Sequence, residues 1–214
     1  DDGVGIYAGG KGATAYGDAL SVYLSFAIDR MTNTLCTIAR WTPNRQQTVT
    51  AFARQAIPMT WDYPEVNPFA GAAGDYYVSA LGVSKGIPII NTFPGIAMQD
   101  DATSQDLSIN KVISTDPPYY DNIGYADLSD FFYVWMRPSL RTIYPDLFST
   151  MAVPKAEELV ATPYRHGNKE KAEVFFLGGM TKAIRNLSEK AHPAFPVTNY
   201  YAIKQTETKE SNTS

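Results

Sequence analysis

The run KVISTDPPYYDN, residues 111–122, decides the fold class of this chain. It opens with a short β-branched stretch, Lys111–Thr115, and then meets Asp116-Pro117-Pro118, where two consecutive prolines stop a strand from continuing. A parallel α/β sheet carries its chemistry at the carboxyl ends of its strands. The run therefore predicts a strand that leads directly into a rigid functional loop.

Downstream of the loop, the pattern predicts two helices and a strand. The first helix has apolar side chains at i, i+3, i+4 and i+7 and is kinked or ended by Pro138. Those side chains are Leu128, Phe131, Phe132 and Trp135. A second amphipathic helix is expected from about Lys169 to Ala191, and a strand from Val197 to Ile203. The order strand, loop, helix, helix, strand predicts an α/β fold with a parallel sheet.

Upstream of the loop, the chain is predicted to be mainly helical. We expect an amphipathic helix between Tyr16 and Arg40, a second helix over 46–57, a third from Ala72 to Val83, and a short strand over Ile87–Ile90. This predicts four parts of the chain. They are a flexible entry over 1–15, a helical insertion and candidate recognition segment over 16–105, a catalytic-loop part over 106–204, and a polar tail over 205–214.

The residues of the loop suit methylation of an exocyclic amine. The lone pair of such a nitrogen is delocalised into the ring, and acceptors for its two N–H groups localise that pair. The Asp116 carboxylate offers one acceptor and the Pro117 carbonyl a second, while Pro117 and Pro118 hold the loop rigid and remove competing donors. Tyr119 offers a ring on which a flipped base can stack.

Composition excludes several classes of protein. Hydrophobic residues make up 44% and charged residues 19% of the chain, which indicates a globular protein. A lone Cys36 excludes an internal disulfide, and two distant histidines predict no metal site. The sequence contains no apolar run of about 18 residues, so it does not predict a membrane span. Without a secretory signal or an initial Met, we expect a cytoplasmic protein cut from a longer chain.

Charge alone does not decide whether the chain binds nucleic acid. The net charge is -4, but Lys and Arg are concentrated between Arg137 and Lys190. That concentration fits a DNA-facing surface and an ordinary solvated helix surface equally well.

Several long stretches carry a resemblance to a known family. They are STDPPYYDNI (114–123) with DLSDFFYVW (127–135), QAIPMTWDYPEVNPF (55–69), KAEEL (155–159) and YYAIKQ (200–205). In these stretches the chain resembles the DUF1156-containing family of adenine-specific DNA methylases, and the resemblance covers nearly the whole chain.

The resemblance implies a class I, Rossmann-like methyltransferase fold, S-adenosylmethionine as cofactor and the N6 amine of adenine in DNA as acceptor. It places the catalytic motif on Asp116, Pro117, Pro118 and Tyr119. We expect Tyr120 and Asn122 to support this loop on the substrate side.

The cofactor-binding turn is harder to place. The segment Asn67–Gly74 is rich in glycine, which makes Asn67, Phe69 and Gly71 the candidates for this turn. Two nearby prolines spoil the strand that should precede it, and no acidic residue follows at the end of a clear second strand. The family carries its cofactor glycines upstream of such a segment, so the chain is expected to be a piece of a methylase, with the remainder as a partner.

Two other functions remain open. The chain could be a non-catalytic module that binds DNA or protein within a larger modification system. The same loop chemistry would also serve a methyltransferase that acts on RNA or on the N4 amine of cytosine.

Overall fold

The structure, a computed structural model, describes residues 1–53, 56–87, 95–121 and 123–201. The chain forms two compact units. Unit 1 is Asp1–Gly95 with Tyr125–Lys155, and unit 2 is Ile96–Gly124 with Ala156–Ser214. Between the helical segment and the catalytic-loop part, the sequence predicted a boundary after residue 105, whereas unit 2 begins at Ile96 and the chain returns to unit 1 after Gly124.

Nine regular helices and strands occur in the described residues, besides two short 3-10 turns at Ile6–Ala8 and Pro43–Arg45. Unit 1 holds α1 (Ala13–Thr32), β1 (Arg40–Thr42), β2 (Gln47–Val49), α2 (Tyr76–Gly86) and α3 (Tyr125–Leu140). Unit 2 holds β3 (Ser114–Thr115), α4 (Pro163–His166), α5 (Lys169–Lys190) and β4 (Thr198–Asn199).

The first helix, α1, is shorter at its carboxyl end than its apolar spacing predicted. The carbonyl of Met31 accepts hydrogen bonds from the backbone N–H groups of Thr34 and Leu35 and from the Thr34 hydroxyl, all within 3.0 Å. A threonine hydroxyl that competes for a backbone carbonyl favours a turn over further helix. The predicted entry segment is tied to this helix, because the N–H of Ile6 donates to Asp18 at 2.9 Å.

The helix predicted over 46–57 is wrong, since the described residues of this stretch contribute a strand and a turn. β1 and β2 form an antiparallel hairpin in which Arg40 pairs with Val49 and Thr42 with Gln47. Gln46 adopts a left-handed backbone with φ 48°, which lets the chain reverse. The β-branched pair Thr48 and Val49 packs better on a strand than on a helix, and this overrides the weak helical spacing.

Two helices complete unit 1 near their predicted positions. α2 begins at Tyr76, because the Asp75 carboxylate caps it by accepting the N–H of Val78 at 2.7 Å. Of the strand predicted over Ile87–Ile90, residues 88–90 lie outside the described residues. The helix predicted around Phe131 is confirmed as α3, and Pro138 lies inside its last turn. An apolar core cluster at the carboxyl end of α3 consists of Leu140, Ile143 and Phe148.

Unit 2 pairs two short parallel strands beside a long helix. Ser114 of β3 pairs with Thr198 of β4, and Thr115 pairs with Asn199. The predicted helix from Lys169 is confirmed as α5, and one face of this helix is buried. The residues on that face are Ala172, Phe176, Ala183 and Asn186. Of the predicted last strand, Ala202 and Ile203 lie outside the described residues, as does the tail over 205–214.

The architecture is therefore mixed α/β, as predicted, but its sheets are small. The described residues form one antiparallel and one parallel sheet of two strands each. The extended parallel sheet of a Rossmann-like fold is not among them. No helix in the described ranges is both long and apolar enough to cross a membrane.

Candidate functional site

The loop 116–120 leaves the carboxyl end of β3, the position at which parallel sheets carry functional groups. The strand holds its last residue firmly, because the Thr115 carbonyl accepts the N–H of Tyr200 at 2.9 Å. Asp116 follows at once, and its side chain is exposed. The carboxylate therefore lies just after the end of the strand, where the sequence predicted the loop to begin, and it is exposed to solvent.

A hydrogen bond inside the loop orients the carboxylate. The Tyr119 hydroxyl donates to Oδ1 of Asp116 at 2.8 Å. A carboxylate has two oxygens and about four acceptor positions, so one phenol donor leaves it able to accept others. Pro117 and Pro118, both half-buried, separate these two side chains and contribute carbonyls without N–H donors. The loop thus presents a fixed set of acceptors.

Aromatic contacts hold the two loop tyrosines. The rings of Tyr119 and Tyr201 meet edge to face, with centroids 5.4 Å apart and planes at 76°. Tyr120 makes a similar contact with Phe176, at 5.4 Å and 89°. Such pairs contribute about 0.5–1.5 kcal/mol beyond burial. Asn122, the other residue expected to support the loop, lies outside the described residues.

Tyr120 also has an unusual backbone. Its φ is 38°, in the left-handed region that costs a non-glycine residue roughly 1–2 kcal/mol. Its carbonyl accepts the N–H of Ala161 at 2.9 Å, and its ring packs on the cluster of Ala161, Ala172 and Phe176. These contacts balance the strain and fix the end of the loop to α5.

The candidates for the cofactor turn lie in unit 1 and serve a different local purpose. Asn67 accepts the N–H of Phe69 at 3.0 Å, and the N–H of Gly71 donates to the Asp75 carboxylate. The Asp75 carboxylate therefore already accepts the N–H groups of Gly71 and Val78 at the amino end of α2, and a cofactor would need such donors. No strand occurs over the preceding residues 56–66. This segment does not fit the strand-to-helix turn that holds a methyl donor.

A cavity that sequence reasoning missed adjoins the loop. It has a volume of about 330 Å³ and lies between β3, β4 and α5. Its lining combines an apolar floor with three polar residues, Thr115, Ser188 and Asn199. Asn199 reaches this place only because β4 pairs in parallel with β3, and no local pattern in the sequence reveals that register. Within the described ranges no group of three or more His, Cys, Asp or Glu residues could hold a metal ion.

Comparison with protein-family models, with curated proteins and with solved structures finds no match for this chain.

Proposed function

We propose that the chain carries the target-amine loop of an S-adenosylmethionine-dependent methyltransferase acting on the N6 amine of adenine in DNA. The observation that carries the proposal is the exposed Asp116 carboxylate at the carboxyl end of a parallel strand, oriented by Tyr119 at 2.8 Å. An acceptor on a rigid support is what a planar, weakly basic amine requires before it can react.

The chain's own residues would act on the amine in three ways. Asp116 accepts one N–H through the carboxylate oxygen that does not face Tyr119, and the Pro117 carbonyl accepts the second N–H. Both contacts draw the nitrogen lone pair out of the ring. The Tyr119 ring supports the base by stacking, which typically contributes about 1–3 kcal/mol per base. Tyr120 anchors the loop through Phe176 and does not need to touch the base.

The cofactor belongs to the proposal only as the source of the methyl group. Asn67, Phe69 and Gly71 do not fit a cofactor turn, so the described residues assign no site to S-adenosylmethionine. Calorimetric titration of S-adenosylmethionine into the chain tests whether it binds the cofactor. Binding in a one-to-one ratio would support an active chain, and a folded chain that binds none would favour a role as one part of a larger methylase.

Methyl transfer to DNA, with N6-methyladenine identified by mass spectrometry, is the direct test. We expect Asp116→Asn to lower the rate about 100-fold or more, because the amide cannot replace a charged acceptor in the transition state. Glu173→Gln is the matched control, since Glu173 is an exposed carboxylate on α5. Native rates in Asp116→Asn, or in Asp116→Ala, would contradict the mechanism. Methylated RNA or N4-methylcytosine as the product would instead identify RNA or the N4 amine of cytosine as the acceptor.

A further inference from the structure

A second and larger cavity lies along α5 in unit 2. Its volume is about 490 Å³, and none of the loop residues 116–120 lines it. Sites for small molecules usually have about 300–1,000 Å³. Three parts of the chain line this cavity: the segment around Asp101, the segment around Glu157, and the turns of α5 between Val174 and Lys182.

Hydrogen bonds to α5 hold the first of these segments in place. The Asn186 side-chain amide donates to the carbonyls of Ala102 and Gln105, at 3.1 Å in both cases. The Lys190 ammonium also donates to the Gln105 carbonyl, at 2.6 Å. Asn186 is only 9% exposed, so these bonds are shielded from water. The wall that contains Asp101 is therefore preformed.

The part of the lining around Glu157 is fixed by packing and by charge. Leu159 lies directly over Gly179, where a Cβ would come within 2.2 Å of its Cδ2 atom. Next to it, Arg165 and Glu158 form an ion pair at 2.6 Å, with side chains only 10% and 14% exposed. Glu157 directly precedes Glu158 and Leu159, so the contacts of these two residues hold its backbone beside the cavity.

The floor of the cavity contains a glycine that packing does not require. A Cβ at Gly178 would meet no atom within 4 Å, in contrast to its neighbour Gly179. Glycine inside a helix is less stable than alanine, so an open position is normally filled by another residue. Gly178 leaves the helix backbone open to the cavity and makes room for a bound molecule.

The lining combines opposite charges with an apolar wall. Glu157 and Lys182 both line the cavity, and neither has an ion-pair partner within 4.0 Å among the described residues. Asp101 adds a second carboxylate, whose pKa is lowered by the Thr103 backbone hydrogen bond and by the nearby Lys182. The apolar wall includes Phe175, whose ring is held by stacking on His166 at 4.3 Å.

We propose that this cavity binds a small zwitterion with an apolar side group, of the kind that free apolar α-amino acids represent. The amine would contact Glu157 and Asp101, the carboxylate would contact Lys182, and the side group would lie over Gly178 against Phe175. This site is separate from the Asp116 loop and does not depend on methyl transfer.

Three probes of the same shape test the charge pattern: L-phenylalanine, phenethylamine without the carboxylate, and 3-phenylpropionate without the amine. Isothermal titration should give the tightest binding for L-phenylalanine. Each analogue should bind at least about threefold more weakly, because it loses one partly exposed charge contact. Equal affinity for all three probes, or no heat with L-phenylalanine, would overturn the proposal.

Substitutions then locate the site. Gly178→Leu fills the cavity and should weaken L-phenylalanine binding about tenfold or more, without lowering the melting temperature, because leucine is the better helix former. Thr181→Leu places the same leucine side chain on α5 outside the lining and should leave binding unchanged. Lys182→Met should weaken L-phenylalanine but not phenethylamine. Native affinity in Gly178→Leu, or equal losses for both probes in Lys182→Met, would refute the assignment.

Discussion

The packing of α1 against α2 in unit 1 and the packing around α5 in unit 2 follow opposite principles. The residues of α1 and α2 that are buried are all small or polar, such as Ser25, Ala27 and Ser79. In the cluster on α5 the buried residues are apolar, namely Ala161, Ala172 and Phe176. α1 and α2 therefore fully bury few apolar side chains, while the α5 cluster gains its stability from apolar burial.

The two regions also differ in how they treat buried polar atoms. Asp29 Oδ1, Asn33 Oδ1 and Ser79 Oγ are buried in unit 1 without a hydrogen-bond partner in the described residues. Asn186 of α5, by contrast, bonds two carbonyls with its amide. An unpaired buried polar group costs about 1–3 kcal/mol. Substitutions that remove these unpaired groups should therefore raise the stability of unit 1, whereas substitutions in the cluster of Ala161, Ala172 and Phe176 should lower the stability of unit 2.

The largest expected effect comes from removing the centre of the α5 cluster. Phe176→Ala should destabilise unit 2 by about 3–5 kcal/mol, because it deletes a 4% exposed ring and leaves a cavity. Leu177→Ala is the matched control on the same helix, and its 54% exposed side chain should contribute less than about 1 kcal/mol. Amide hydrogen exchange of α5 measures both. Similar losses in the two variants would mean that the cluster is not the core of this unit.

A smaller effect should follow from the buried carboxylate of α1. Burial raises the pKa of Asp29 to about 6 from 3.8. The folded protein therefore binds more protons than the unfolded chain between about pH 4 and 6, so stability from this group falls as pH rises through that window and stays low above it. Because Asp29 is only partly buried, we expect a loss on the order of 1–2 kcal/mol after allowance for solvent screening.

Asp29→Asn isolates this contribution, because asparagine does not ionise. Relative to the native chain, the variant should be more stable at pH 8 and nearly equal at pH 4, as followed by denaturant unfolding at each pH. A difference between the two proteins that does not change with pH would show that the Asp29 carboxyl titrates normally.

The smallest predicted effect is a gain of stability. Ser79→Ala should stabilise unit 1 by about 1 kcal/mol, because it removes a hydroxyl that is fully buried and unpaired and adds a better helix former. Ser84→Ala, on the same helix, is the comparison. The Ser84 hydroxyl is exposed and bonds the Leu81 carbonyl at 2.8 Å, so its loss should change stability only slightly. A loss of stability in Ser79→Ala would indicate a partner for this hydroxyl, such as a bound water.

Local pattern predicted some elements well and failed where contacts distant in sequence decide. The apolar period of α5 and the capping side chain of Asn168 are both local, and the helix lies where the sequence placed it. Leu20 and Leu24 also have helical spacing, yet α1 leaves them 45% and 47% exposed and buries smaller residues instead. Which face of a helix is buried depends on the partner helix, and its sequence spacing does not contain that information.

The candidate site shows the same division. Asp116, Pro117, Pro118 and Tyr119 were identified from a strand that ends at two prolines, a signal contained within a few residues. The bond between Tyr119 and Asp116 spans three residues and is also local. The neighbouring Asn199 was missed, because 83 residues of chain separate it from Asp116 and only strand pairing brings it there.

By itself, the amino-acid sequence determined the position of α3 and α5 and the point at which β3 stops, since proline geometry and helical period act within one or two turns. The tertiary structure alone decided the β1–β2 hairpin, the parallel register of β3 with β4, and the closeness of Leu159 to Gly179. Those features form between separate segments of the chain. The free energy of burial that favours them arises only when the two segments pack together, so neither segment's sequence contains it alone.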